Sequence, residues 1–298
     1  MKNESYRHHY IPQFIIKNFT EDRDGWIFYY DKSSDEISLK HSSEIFMYRN
    51  LYRDEINNPN DPTKIEKDLS VYEREVSEIL NRFLVGDDFV ITVDEEEKVK
   101  LFFAIMAFRS KTTSKKFRAQ LSEQSKEFYS FYQEDGNMTD MWKRNLGALV
   151  KCRSIKEVMD SKDVDDPIKV FMMRDSFGIF GLHLVIGERR GKEDFFLSDV
   201  YPLSFEGESI NNIRITMYSI IPSSPSRVLI MASNGVENAP FSVRVFSEEF
   251  LKKPPIINGL IKLHVKKLYQ REVEFINGEI AKHYTEAAFL DKDRFIIR

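Results

Sequence analysis

A single cysteine, Cys152, stands among 298 residues. That excludes a disulfide within the chain and any metal centre built on several thiolates, and it suits a reducing, cytoplasmic setting. Long apolar runs are missing too. The longest, residues 101–108 and 177–187, fall well short of the ~20 residues that a membrane-spanning helix needs, and residues 1–16 hold no signal-like apolar stretch. No membrane association is expected. Glycine and proline are sparse, at 12 and 10, and neither a Gly/Ser linker nor an internal repeat interrupts the chain. One domain over residues 1–298 is the expectation. Neither sign of charge dominates: 44 basic against 48 acidic residues leave −4, so a surface for nucleic acid would have to be local. His-Glu-x-x-His, P-loop and Gly-x-Gly-x-x-Gly patterns are absent. Their absence counts against a zinc protease, a P-loop NTPase and a dinucleotide enzyme.

Aromatic residues are plentiful, with 24 Phe and 13 Tyr, and hydrophobic content is 42%. The core should be large and bulky. The densest group of titratable and hydrogen-bonding side chains lies at the start: Arg7-His8-His9-Tyr10-Ile11-Pro12-Gln13-Phe14, then Asn18-Phe19. Chain ends fray unless tied down, and this one reads as tied. In an extended segment His8 and His9 point to opposite sides. One would face a site, the other a core or a carboxylate.

Residues 26–40 read as a hairpin, aromatic on the first strand and alternating on the second. Arg49 and Asn50 sit between aromatics, either at a site or in a turn. Residues 63–175 read as a helical middle. Thr63-Lys64-Ile65-Glu66 has the capping-box pattern. Asp94 to Glu97 supply an acidic first turn for the next helix, which is expected to run on to about residue 132. Within it Arg109, Lys111, Lys115, Lys116 and Arg118 place five cations in ten residues, suited to phosphates or to a solvated face. Residues 167–174 read as a further helix. Residues 177–232 turn β-rich: a hairpin over 177–199 that ends in Ser198-Asp199, then two strands joined through Pro222-Ser223-Ser224-Pro225. A last helix is expected over 254–276. The sum is an α+β fold, with the helical middle packed beside a mostly antiparallel sheet built from N-terminal and C-terminal hairpins.

The opening motif resembles the hallmark of the bacterial domain of unknown function 4238 family. The elements Tyr48 to Tyr52, Phe108-Arg109-Ser110, Ser198-Asp199 with Pro202, and Pro222-Ser223-Ser224-Pro225 match that family in order. One departure is the insertion of Val200-Tyr201 between Asp199 and Pro202, where the family has Ser-Asp-Asn-Pro. The resemblance implies an anti-phage defence setting more than a chemistry.

His8 or His9 is a general base near neutral pH, and Asp199 is its orienter or a ligand for a divalent metal, whose requirement stays unknown. Arg109 and Arg49 hold phosphate oxygens, with Gln13, Asn50 and Ser198 as further substrate contacts. Ser198 lacks the elbow expected of a nucleophile. His183, inside an apolar strand, is expected to be a satisfied core histidine. The leading expectation is an anti-phage effector that cleaves phosphodiesters of nucleic acid. The other is a non-catalytic sensor or inhibitor module that binds a phage or host protein. In a third arrangement, the opening histidines only lock the N-terminus.

Overall fold

The computed structural model describes residues 7–20, 24–118, 138–166, 168–169, 182–208, 214–233 and 245–293. The architecture is α+β. The chain begins with β1 (Arg7–His9) and α1 (Gln13–Lys17). The expected hairpin follows as β2 (Trp26–Asp31) and β3 (Glu36–His41), then the short β4 (Met47–Arg49). The helical middle holds α2 (Lys64–Leu80), β5 (Asp88–Thr92), α3 (Val93–Arg109), α4 (Lys111–Arg118), α5 (Met138–Leu149) and α6 (Ile155–Asp160). The β-rich part holds β6 (Leu182–Arg189), β7 (Leu197–Ser198), β8 (Leu203–Glu208), β9 (Arg214–Pro222) and β10 (Arg227–Ser233). Then come α7 (Glu248–Leu251), β11 (Ile256–Ile257), β12 (Leu260–Leu268), α8 (Gln270–His283) and β13 (Glu286–Phe289).

A large sheet in the order β11-β12-β6-β10-β9-β8, with β5 on β12, forms the middle layer. Its pairs are antiparallel except β12 with β6. Side chains alternate across it. Leu184, Ile186, Leu229 and Met231 join one core with α2, α3 and α5; Val185, Val228 and Ile230 join a second with Val273, Ile276 and Ile280 of α8. The strands thus carry helices on both faces, which explains why β6 is buried from Leu182 to Gly187. A smaller sheet, β3-β2-β13-β7, ties the N-terminal hairpin to the end of the chain.

Four expectations change. Residues 260–268 are a strand. Ile261 and Leu263 point inward while Lys262 and His264 point out, a two-residue period. Asn258 and Gly259, both at positive φ (52° and 74°), turn β11 into β12. The last helix therefore starts only at Gln270. The hairpin over 177–199 is not formed either. β6 pairs with β10 and β12, and β7 crosses to β13; residues 177–181 lie outside the described ones. The helix starting near residue 93 breaks at Ser110, whose ψ of 155° is extended. Its expected reach to residue 132, and most of the helix expected over 167–174, lie outside the described residues. At α2 the Thr63 hydroxyl donates to Asp61 (2.9 Å) rather than capping the helix. The capping box forms at α3 instead, where Thr92 and Glu95 bond reciprocally.

Candidate functional site

The opening motif forms a two-stranded ribbon. β1 runs antiparallel to β4, with Arg7 opposite Arg49, His8 opposite Tyr48 and His9 opposite Met47. The alternation of the two imidazoles is as the extended segment requires. His8 faces inward at 1% exposure, its ring stacked on Tyr52 with centroids 5.5 Å apart. The Tyr52 backbone N–H donates to its Nδ1 at 2.8 Å. His9 is half-buried on the other side, where the Gln13 amide meets its Nε2 and a backbone hydrogen bond links it to Ser43. Gln13 also donates to the Ser42 carbonyl (2.9 Å), so Pro12 and α1 hold the ribbon against the turn after β3. Burial, then the nearby Arg109 guanidinium, bring the His9 imidazole down to about 4, so it is neutral at physiological pH.

Arg109, at the end of α3, is 1% exposed. Its Nε donates to the Tyr52 hydroxyl (3.1 Å), one terminal nitrogen pairs with Glu73, and the other donates to the His9 carbonyl. Burial alone would favour losing its charge, but Tyr52 and Glu73 outweigh that and hold the guanidinium protonated. Close by, burial pushes Glu66 up to about 7.

Asp199 lies in a second knot, in the turn after β7 and against the start of β13. Its Oδ1 accepts from the backbone N–H groups of Thr285 (2.8 Å) and Glu286 (3.1 Å). Its Oδ2 accepts from the Thr285 hydroxyl and lies 3.0 Å from Lys111 Nζ. Lys111 also donates to Thr285 Oγ1 (2.6 Å) and pairs with Glu286, which accepts from the hydroxyls of Tyr10 (2.8 Å) and Tyr29. These carboxylates lift the Lys111 ammonium above the ordinary lysine value despite its burial, and burial with Glu286 drives the Tyr10 phenol well up. In an unbroken helix, positions 109 and 111 lie ~200° apart. The break at Ser110 lets both cations turn inward.

The structure therefore gathers His8, His9, Arg109 and Asp199 into one region, but as a buried network. Asp199 is oriented to Lys111 and Thr285 and not to either imidazole. Ser198, 2% exposed, closes a turn in which Val200 N–H donates to its Oγ (3.2 Å). Arg49 and Asn50 are exposed, and Asn50 adopts φ 56° in the turn after β4. His183 is buried, with Nε2 on the Leu251 carbonyl. Tyr52, Glu73, Lys111, Thr285 and Glu286 complete the network. Lys111 was visible only as part of a basic run, and no local pattern marks Thr285-Glu286. As for a metal, the cation between Asp199 and Glu286 is the Lys111 ammonium. Among the described residues no group of three or more His, Cys, Asp or Glu is placed to hold an ion. The side chains of Lys115, Lys116 and Arg118 lie outside the described ones. No helix among the described residues is long and apolar enough to cross a membrane.

The region from β1 to the turn after β13 coincides with one family model, "Protein of unknown function (DUF4238)", which matches residues 7–292. The chain belongs to the DUF4238 family. No curated protein and no solved structure matches it. The family match takes in the whole network, from His8 through Arg109 and Asp199 to Glu286.

Proposed function

We propose that this DUF4238 protein is a non-catalytic module, a sensor or inhibitor that binds a phage or host protein in anti-phage defence. One observation carries this reading: the groups a reaction would need are consumed inside the chain. His9 is bonded to both Gln13 and Ser43, and His8 gives its Nδ1 to Tyr52. Arg109 directs all three of its nitrogens to Glu73, Tyr52 and the His9 carbonyl. Both oxygens of Asp199 are occupied. A general base needs a lone pair that reaches substrate, and a phosphate holder needs a free face on its guanidinium. The defence setting rests on the resemblance noted from the opening motif.

The second reading, phosphodiester cleavage of nucleic acid, is favoured by one other feature. Arg7, His9 and Arg49 share one side of the β1–β4 ribbon, and Arg7 and Arg49 are directly opposite. Arg7 also lies 3.9 Å from Glu44; a phosphate beside the two guanidinium groups would be met by both and would raise the His9 pKa toward neutrality.

Near-isosteric variants separate the two. His9→Gln and Asp199→Asn are compared with wild type in phage-plating assays and in cleavage of labelled DNA and RNA, with folding followed by thermal denaturation. A non-catalytic module keeps its protection wherever the fold is kept, and shows no cleavage. Protection and cleavage both lost in a stably folded His9→Gln would overturn this reading in favour of the second.

A further inference from the structure

The β2–β3 hairpin ends the smaller sheet, and the outer edge of β3 carries no strand among the described residues. Long apolar edges are a liability that proteins normally blunt or use. This one is apolar: Ile37 is 43% exposed, Leu39 55% and Trp26 49%. The register places Phe28 opposite Leu39, and Tyr30 opposite Ile37. Trp26, Phe28, Ile37 and Leu39 therefore lie on one side of the hairpin as a stripe reaching the free edge. On its other side, Glu36 stands directly opposite Asp31, two carboxylates at a cross-strand position. Such a pair is unfavourable. Asp31 is stabilised by the Ser33 N–H and hydroxyl. Glu36 has no cation within ion-pair distance among the described residues.

We infer that β3 is the interface for a second copy of this chain, paired antiparallel about Ser38. The segment Glu36-Ile37-Ser38-Leu39-Lys40 is self-complementary about its centre. With Ser38 opposite the second copy's Ser38, Ile37 meets the second copy's Leu39, and Leu39 meets its Ile37. On the opposite side Glu36 meets the second copy's Lys40, twice by symmetry. Lys40 already lies on that side, its ammonium 4.3 Å from the centre of the Tyr29 ring. The incoming cation offsets the Glu36–Asp31 repulsion, and the two apolar stripes join across the two-fold axis. Such an interface is isologous, so it closes at two copies and occupies the free edge of β3 in both. An unrelated strand would match the apolar stripe, but it would have no reason to carry the inverted charge order. This inference is independent of whether the network around His9 is catalytic.

The test uses the full chain. Sedimentation equilibrium across a wide concentration range is expected to show a monomer–dimer equilibrium. Glu36→Lys places cation against cation at both ends, and is expected to weaken the dimer by about tenfold or more. Lys40→Glu does the same with carboxylates. The double variant Glu36→Lys/Lys40→Glu restores complementarity and with it most of the affinity. Leu39→Lys, on the other side, abolishes dimerisation while thermal denaturation reports an intact fold. A chain that stays monomeric throughout overturns the proposal. So does a dimer indifferent to these substitutions, or a charge swap that fails to rescue the single variants.

Discussion

The Lys111 ammonium lies 3.0 Å from Asp199 Oδ2 and also pairs with Glu286, so two carboxylates close on one buried cation. The three residues come from α4, the turn after β7 and the start of β13. Tyr10, from the opening motif, donates to the same Glu286. The knot joins the first described segment of the chain to the last strand.

Removing that cation should be costly. Lys111→Met leaves the Asp199 and Glu286 carboxylates buried without a countercharge, a loss of roughly 3–5 kcal/mol. Asp199→Asn keeps hydrogen-bonding capacity and should cost less. The double variant should fall short of the sum by about 0.5–3 kcal/mol, since the partners act together. Urea denaturation of the four proteins measures this, and a Lys111→Met loss below about 1 kcal/mol would contradict the role assigned to the ammonium.

His9 and Glu66 should oppose each other in their effect of pH on stability. His9, at about 4 against an ordinary 6.5, takes up its proton in the unfolded chain first. Its contribution is full above about pH 6.5 and is lost as pH falls toward 4. Glu66, at about 7 against an ordinary 4.5, favours the fold below about pH 4.5, and that contribution is lost as pH rises toward 7. Relative to wild type, His9→Gln should therefore lose stability as pH rises from about 4 to 6.5. Glu66→Gln should gain stability relative to wild type from about pH 4.5 to 7, each change being on the order of 1–3 kcal/mol. Denaturation midpoints against pH would refute this if either variant kept the wild-type profile.

Gly187→Ala probes the centre of the large sheet. A Cβ there would stand 2.7 Å from Leu268 Cδ1 and 3.1 Å from Val228 Cγ2. Leu268 and Val228 are themselves fully buried, so a shift of either must displace its core neighbours. The substitution should cost about 1–3 kcal/mol by overpacking. It should also loosen the parallel β12–β6 pair, which hydrogen exchange at residues 265–268 would report. Exchange unchanged from wild type would show that the sheet absorbs the methyl freely.

Elements whose pattern is local were legible in the sequence. The β2–β3 hairpin, the apolar stripe of α2, the acidic start of α3, and β9–β10 with their Pro-Ser-Ser-Pro turn all follow from period and turn chemistry. β12 was missed because its alternation is short, and Lys266-Lys267 blurs it where the strand shifts from β5 to β6 as its partner. The Asn258-Gly259 turn was the signal that could have found it. β6 and β7 were misjoined because an apolar run does not say which strand it lies beside.

The sequence by itself determined that the opening histidines alternate, that Arg109 sits on a helix, and that Ser198-Asp199 ends a strand. Each is a matter of backbone period and nearest neighbours. Only the tertiary structure decided what those residues meet. The choice of Lys111 over an imidazole for Asp199 depends on the helix break at Ser110 and on β13 arriving from the far end of the chain. A buried carboxylate takes the strongest countercharge that the packing brings within reach, and that packing is set by contacts between segments 86 and 175 residues apart.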